Sequence, residues 1–240
     1  MIKIDKSHAL IQQNKHDKRY LNILGLIKNG KNVVLYTDGS DSVALVENNH
    51  TVCFVTQSLT FVDEIVATLC GEISFCGVSN EILQHLQSNY QLDWVTLCSF
   101  YAYNGLPFDD TVTQNLDFRP MDARFWQLIS DGTPYHADEQ DIKECLENRL
   151  SSAIYIDNKP VSWCLMHHEN SLGMLYTLPQ HRRKGYALAV MTDICKKIVA
   201  NGDVPYGYII KGNYASEQLA KHYNLNYFFD AHWCGLTKNC

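Results

Sequence analysis

One string constrains this chain more than any other: Met174-Leu175-Tyr176-Thr177-Leu178-Pro179-Gln180-His181-Arg182-Arg183-Lys184-Gly185-Tyr186-Ala187. A β-type run stops at a proline, a basic loop follows, and a helical pattern starts at a glycine. Backbone N–H groups at a helix start converge on one point, and the helix dipole favours an anion there. Gly185 has no Cβ, so a phosphate can approach the backbone closely. Ala187 keeps the first turn open, and Arg182, Arg183 and Lys184 add charge-assisted donors. The string therefore reads as a phosphate or pyrophosphate cradle. It is neither a G-x-G-x-x-G dinucleotide fingerprint nor a G-x-x-x-x-G-K-[ST] loop. On spacing alone, a solvated basic loop capping an ordinary helix is also open.

The pattern around this string is mixed. Tyr20, Ile23, Leu24 and Ile27 share a face and predict a helix over 6–28. Short strands are expected at 32–36, 43–46, 51–55 and 94–103, and helices at 61–70 and 79–89. Turn residues fill 105–115 (GLPFDDTVTQN), which places a domain boundary there: 1–115 and 116–240. The second half predicts helices at 122–130 and 138–149 and a hairpin of 152–157 with 161–167 about Asn158-Lys159-Pro160. A strand over 171–177, a helix over 184–200 and a strand over 206–210 come next. A last helix over 215–223 precedes strands near 227–229 and 233–235. Ala187, Met191, Ile194, Cys195 and Ile198 form the apolar face of the long helix. Antiparallel strands, helix, strand, helix and strands in that order give a mixed α+β sheet.

Composition narrows the function classes. Lys+Arg 20 against Asp+Glu 26 gives a net charge of −6, which argues against broad binding to nucleic acid or an anionic membrane. No apolar run reaches the ~18 residues of a membrane span, and the N-terminus lacks a secretory pattern. A cytoplasmic protein is expected. Nine cysteines with no C-x-x-C pair read as reduced, mostly buried thiols, and the ten histidines show no metal-ligand spacing, so no metal is expected.

The run Arg182-Arg183-Lys184-Gly185-Tyr186-Ala187 resembles the R/Q-x-x-G-x-G/A motif of the GNAT N-acetyltransferase superfamily. The wider string LYTLPQHRRKGYALAV resembles its glycine N-acyltransferase-like branch. Asn213 with Ser216 and Leu219 resembles the later N-x-x-[AS]-x-x-L helix start, and the terminal HWCG resembles the end of that branch. The resemblance covers about 116–240. It is weak over 1–115, a half that in this branch is often a degenerate copy of the same fold.

The resemblance implies a GNAT acyl-CoA N-acyltransferase fold in the C-terminal half and a degenerate GNAT-like N-terminal half. Acyl-CoA would lie in a split between two central strands. Leu175, Tyr176, Thr177 and Leu178 would pair with the pantetheine arm through their backbone. Arg182 and the amides of Arg183, Lys184, Gly185, Tyr186 and Ala187 would hold the pyrophosphate, with Asn213 and Ser216 beside the pantetheine. The donor would be acetyl-CoA or another acyl-CoA, and the acceptor a small amine or amino acid. Attack on the thioester would be direct and helped by a general base. Ser171 stands at the expected Glu position, so Glu169, His167 and His168 are the alternatives. The usual Tyr seven residues after the Asn is Ala220 here, and Tyr223 lies one turn further on. Cys164 and Cys234 would lie near the sheet without a catalytic duty. Trp94, Phe100, Tyr101 and Tyr103 suit core packing or an apolar acyl pocket. A non-catalytic acyl-CoA sensor and a protein or peptide acetyltransferase are the competing readings. A monomer or homodimer is expected.

Overall fold

A computed structural model describes residues 1–132 and 139–239. In chain order the elements are β1 (Ile2–Ile4), α1 (Ala9–Gln13), α2 (Leu21–Asn29), β2 (Val33–Thr37), β3 (Val43–Glu47), β4 (Thr51–Val55), α3 (Leu59–Ala67), β5 (Gly71–Val78), α4 (Asn80–Asn89), β6 (Trp94–Thr96) and β7 (Cys98–Tyr103). There follow β8 (Phe118–Arg119), α5 (Trp126–Gly132), α6 (Glu139–Asn148), β9 (Ser151–Ile156), β10 (Lys159–Met166), β11 (Leu172–Thr177), α7 (Tyr186–Ala200), β12 (Tyr206–Ile210), α8 (Tyr214–His222), β13 (Leu225–Asp230) and β14 (His232–Lys238). No helix among the described residues is long and apolar enough to cross a membrane.

The strands form two seven-stranded sheets, ordered β1-β2-β3-β4-β5-β14-β6 and β13-β7-β12-β11-β10-β9-β8. The chain divides into two compact units. One is Met1–Phe100 with Tyr208–Gly212 and Phe228–Cys240, and the other is Tyr101–Gly207 with Asn213–Tyr227. The units are thus discontinuous in sequence, unlike the contiguous halves expected from the turn-rich stretch 105–115. The reason is strand pairing at long range: β14, last in the chain, pairs antiparallel with both β5 and β6.

In the first unit, the hairpin β3–β4 turns at Asn48-Asn49, both with positive φ, and the His50 N–H donates to the Glu47 carbonyl at 3.0 Å. The expected helix over 6–28 is broken. Asn14 ends α1, and Asp17 caps a short 3-10 turn by accepting from the Arg19 N–H at 2.9 Å. Polar residues that cap their own backbone outcompete the helical period here. The core between α3, α4 and the sheet includes Phe61, Ile65, Phe75, Leu86 and Leu236, all essentially inaccessible to solvent. Phe100 is buried and stacks on Phe229 at 4.7 Å, whereas Trp94 on the edge strand β6 is exposed. Tyr103, in the second unit, stacks on Phe108 at 4.8 Å.

In the second unit, the hairpin β9–β10 turns at Asp157-Asn158, again both at positive φ. One side of its sheet packs Ala153, Tyr155, Trp163 and Leu165 against Ile129 of α5 and Ile142 of α6. Helix α7 buries Val190, Met191, Ile194, Cys195 and Ile198 and ends before Gly202, whose φ is +80°. The first residue of the expected helix over 138–149 lies outside the described residues. Among the described residues seven buried cysteines, including Cys164 and Cys234, form no disulfide. Exposed Cys70 is disulfide-bonded, which corrects the expectation of reduced thiols throughout. Cys70 lies at the surface rather than in the core with those seven. Cys240 lies outside the described residues.

Candidate active site

The site begins with β11, a strand that breaks its own regularity. Leu172 is buried, and the next five residues are only half-buried. Against β10 the register slips between Trp163 and Leu165, and Met174 carries a φ of +52°. This is a β-bulge, which bends the strand and re-aims its backbone groups. On the other side β11 runs parallel to β12, with Leu172 opposite Gly207 as the one registered pair among the described residues. A Cβ at Gly207 would come within 3.0 Å of the Leu172 carbonyl oxygen, so glycine permits this approach.

Past Leu178 the chain makes a 3-10 turn at Pro179–His181 and enters the basic loop. Arg182, Arg183, Lys184 and Gly185 are exposed. Arg183 at φ +60° and Gly185 at φ +80° are both left-handed, which bends the chain sharply into α7. Gly185 is the N-cap of α7 and offers no side-chain oxygen to the first turn. By contrast, α3, α4 and α8 start on side-chain caps from Ser58, Ser79 and Asn213. A Cβ built on Gly185 meets nothing within 4 Å, so the space before the first turn of α7 is open. An uncapped helix start with positive side chains around an open space fits a pyrophosphate group.

Arg182 is placed differently from its neighbours. Its Nε donates to the Thr177 carbonyl at 3.0 Å, and its guanidinium lies over the Tyr176 ring at 5.3 Å. It braces the loop against the end of β11. Ser162 Oγ pairs with Thr177 Oγ1 at 2.8 Å, and the Leu178 N–H donates to the Val161 carbonyl at 3.0 Å. The strand end is thus pinned on both sides. Asn213 caps α8 by accepting from the Ser216 N–H at 3.2 Å, which brings those two residues together at one helix start.

Tyr223, one turn beyond the position of the usual Tyr, is engaged within the fold. Its ring is 2% exposed, and its hydroxyl donates to the Ala187 carbonyl at 3.1 Å. Burial pushes its pKa far above the ordinary phenol value, with smaller contributions from Cys164 and Cys195. Tyr223 therefore holds the first turn of α7 in place. Burial likewise pushes the Cys164 thiol up to about 12, which makes it a poor nucleophile at neutral pH.

Glu169 lies in the turn before β11, and Ser171 lies one residue short of the strand it was expected to open. The turn is closed by the His167 N–H donating to the Ser171 carbonyl at 2.7 Å. Glu169 is 4% exposed, and Ser171 Oγ donates to its Oε1. The buried Tyr206 hydroxyl donates to the Glu169 carbonyl oxygen. His168 Nδ1 is 2.6 Å from Arg149 Nη2. Because arginine is always the donor, that nitrogen of His168 accepts. Three features were not legible beforehand: the Tyr206 contact, the packing of His167 on Gly173, and His181 stacked on Tyr186 at 6.3 Å. Each depends on a fold contact rather than on a local motif.

Two sheets, a bulged strand leading to an uncapped helix, and a parallel partner strand after that helix define the architecture. Over its whole length the chain superposes on the X-ray structure of a Drosophila protein, with TM-score 0.77, 14% identity and 100% and 99% coverage of the two chains. A GCN5-related N-acetyltransferase-like protein from Streptococcus suis matches with TM-score 0.56 and 14% identity over 94% of this chain and all of that one. This chain has the GNAT fold. It has two GNAT-like halves, as does a tandem GNAT protein from the clavulanic acid biosynthesis pathway, which matches with TM-score 0.50 and 5% identity over 90% and 87% of the chains. The sequence model of the FR47-like protein family matches residues 157–234, the part that carries the GNAT strand, basic loop and helix.

Proposed function

We propose that this chain is an acyl-CoA-dependent N-acyltransferase that acts on a small amine or amino acid, with acetyl-CoA the default donor. One observation carries the reading: the uncapped start of α7, with Gly185 at φ +80° facing open space behind three exposed basic residues. The amides of Arg183 to Ala187 would hold the pyrophosphate, with Arg183 and Lys184 adding charge. The half-buried backbone of Leu175 to Leu178 would take the pantetheine arm. Asn213 and Ser216 would flank it. Bound acyl-CoA supplies an acyl group activated as a thioester. Arg182 and Tyr223 keep the cradle in shape from its two sides. Glu169, Ser171 and Tyr206 form a buried network at the start of β11 that fixes the turn.

A second reading, an acyl-CoA sensor without turnover, is favoured by one observation. The Glu169 carboxylate and the Tyr223 hydroxyl are both engaged internally. Thermal shift with acetyl-CoA, CoA and a longer acyl-CoA, followed by turnover on a panel of amines, tests both. Ligand at 100 times its Kd adds about 2.7 kcal/mol. Binding with turnover supports the enzyme, binding without turnover supports the sensor, and no binding removes both.

A further inference from the structure

We propose that His167 takes the proton released when the acceptor amine is acylated, an inference that rests on the acyltransferase reading above. The placement of its ring carries it. A Cβ at Gly173 would lie 1.8 Å from His167 Nε2 and 2.2 Å from Cδ2. The Nε2 end of the imidazole therefore rests against β11 where that strand has no side chain, next to the bulge at Met174. Position 173 must be glycine for the ring to rest there.

The neighbouring titratable groups are committed elsewhere. His168 Nδ1 accepts from Arg149 Nη2, the charged group that α6 brings to this turn. The Glu169 carboxylate accepts from Ser171 Oγ, and Glu169 is nearly inaccessible. His167 is half-buried and so reachable, and its ring nitrogens make no hydrogen bond among the described residues. Its backbone is fixed, because its N–H donates to the Ser171 carbonyl and its carbonyl accepts from the Asn170 N–H at 3.0 Å. The ring is thus a mobile-proton group on a rigid mount, on the strand whose backbone would carry the pantetheine.

The chemistry balances. The amine lone pair forms the C–N bond at the thioester carbonyl, and the C–S electron pair leaves with sulfur. The N–H proton passes to the neutral imidazole, which returns it to the thiolate. An imidazole nitrogen without a proton can accept it.

The test is steady-state kinetics of wild type, His167→Gln, His167→Ala and Glu169→Gln at saturating acetyl-CoA with the amine panel. CoA titration serves as the folding control. His167→Gln is expected to lower kcat by about 100-fold or more while CoA affinity stays near wild type. The acidic limb of the kcat/KM profile disappears in His167→Gln and persists in Glu169→Gln. Added imidazole restores rate to His167→Ala. A His167→Gln enzyme that loses less than about threefold in kcat, or a limb that moves with Glu169→Gln, overturns the assignment while leaving the acyltransferase intact. A wild type that binds CoA yet acylates no amine overturns both.

Discussion

Each unit contains a strand that enters a helix through a loop and returns to a parallel neighbour, but the two loops are built for opposite ends. In the first unit β4 reaches α3 through Thr56-Gln57-Ser58. Ser58 Oγ accepts from the Phe61 N–H at 3.2 Å, so the helix start is satisfied from within. The strands β4 and β5 stay in register at Thr51–Ser74, Val52–Phe75 and Cys53–Cys76. In the second unit the loop from Leu178 to Gly185 is longer and carries three basic residues. Its helix has no side-chain cap, and among the described residues β11 and β12 have one registered pair. A helix N-terminus is an anion site only if the chain leaves its amides unspent, and only the second loop does so.

The sharpest way to break this contrast is to change the loops in parallel. Gly185→Glu puts a negative charge and a strained left-handed side chain into the cradle. It should weaken acetyl-CoA binding at least 100-fold, or about 2.7 kcal/mol, by isothermal titration. Gln57→Glu at the exposed tip of the first loop should leave that affinity unchanged. Equal losses would show that overall charge, and not loop geometry, governs binding.

A smaller effect is expected from Gly173→Ala. The new methyl group overlaps the His167 ring, so either ring or strand must shift, at a cost of about 1–3 kcal/mol in urea unfolding. Turnover should fall with it. Ser58→Ala should cost about 1 kcal/mol of stability, the usual value of an N-cap, with no change in acetyl-CoA affinity. A change in affinity there would mean that the first loop also serves the ligand.

The least of these effects concerns pH. His232 accepts from the Cys98 N–H at 3.1 Å and reaches Asn80 Oδ1 at 2.8 Å, beside the first turn of α4. Burial, and then Lys211, hold its pKa below the ordinary imidazole value, while Asp230 acts the other way. The unfolded chain therefore binds this proton at a higher pH than the folded one. Stability should be fully present above about pH 6.5 and fall as pH drops from there toward the lowered folded value. The urea midpoint measured from pH 8 to 5 should show this slope, and His232→Asn should flatten it.

What the sequence reveals follows the range of the interaction. The basic loop, the long helix and the hairpin β9–β10 are legible because each is written in neighbouring residues, although that hairpin turns at Asp157-Asn158, with Lys159 and Pro160 already in β10. The break of the first helix at Asn14–Asp17 is local too, but it is masked by an apolar period that continues through it. The pairing of β14 with β5 and β6 is not legible, since nothing in HWCG names its partner strand. The site divides in the same way. The basic loop at 182–184 and the glycine that opens its helix are read directly. The fates of Glu169 and Tyr223 are decided by Ser171, Tyr206 and Ala187 through burial that no periodicity displays. His167 is visible only as one of two adjacent histidines until Gly173 is found beneath it.

The number of CoA sites per chain tests the contrast between the loops most directly. Calorimetric titration of the full chain with CoA should give about one site, abolished by Gly185→Glu and untouched by Ser58→Ala. Two sites per chain, or one site that survives Gly185→Glu, would show that the open helix start of α7 is not what binds the ligand.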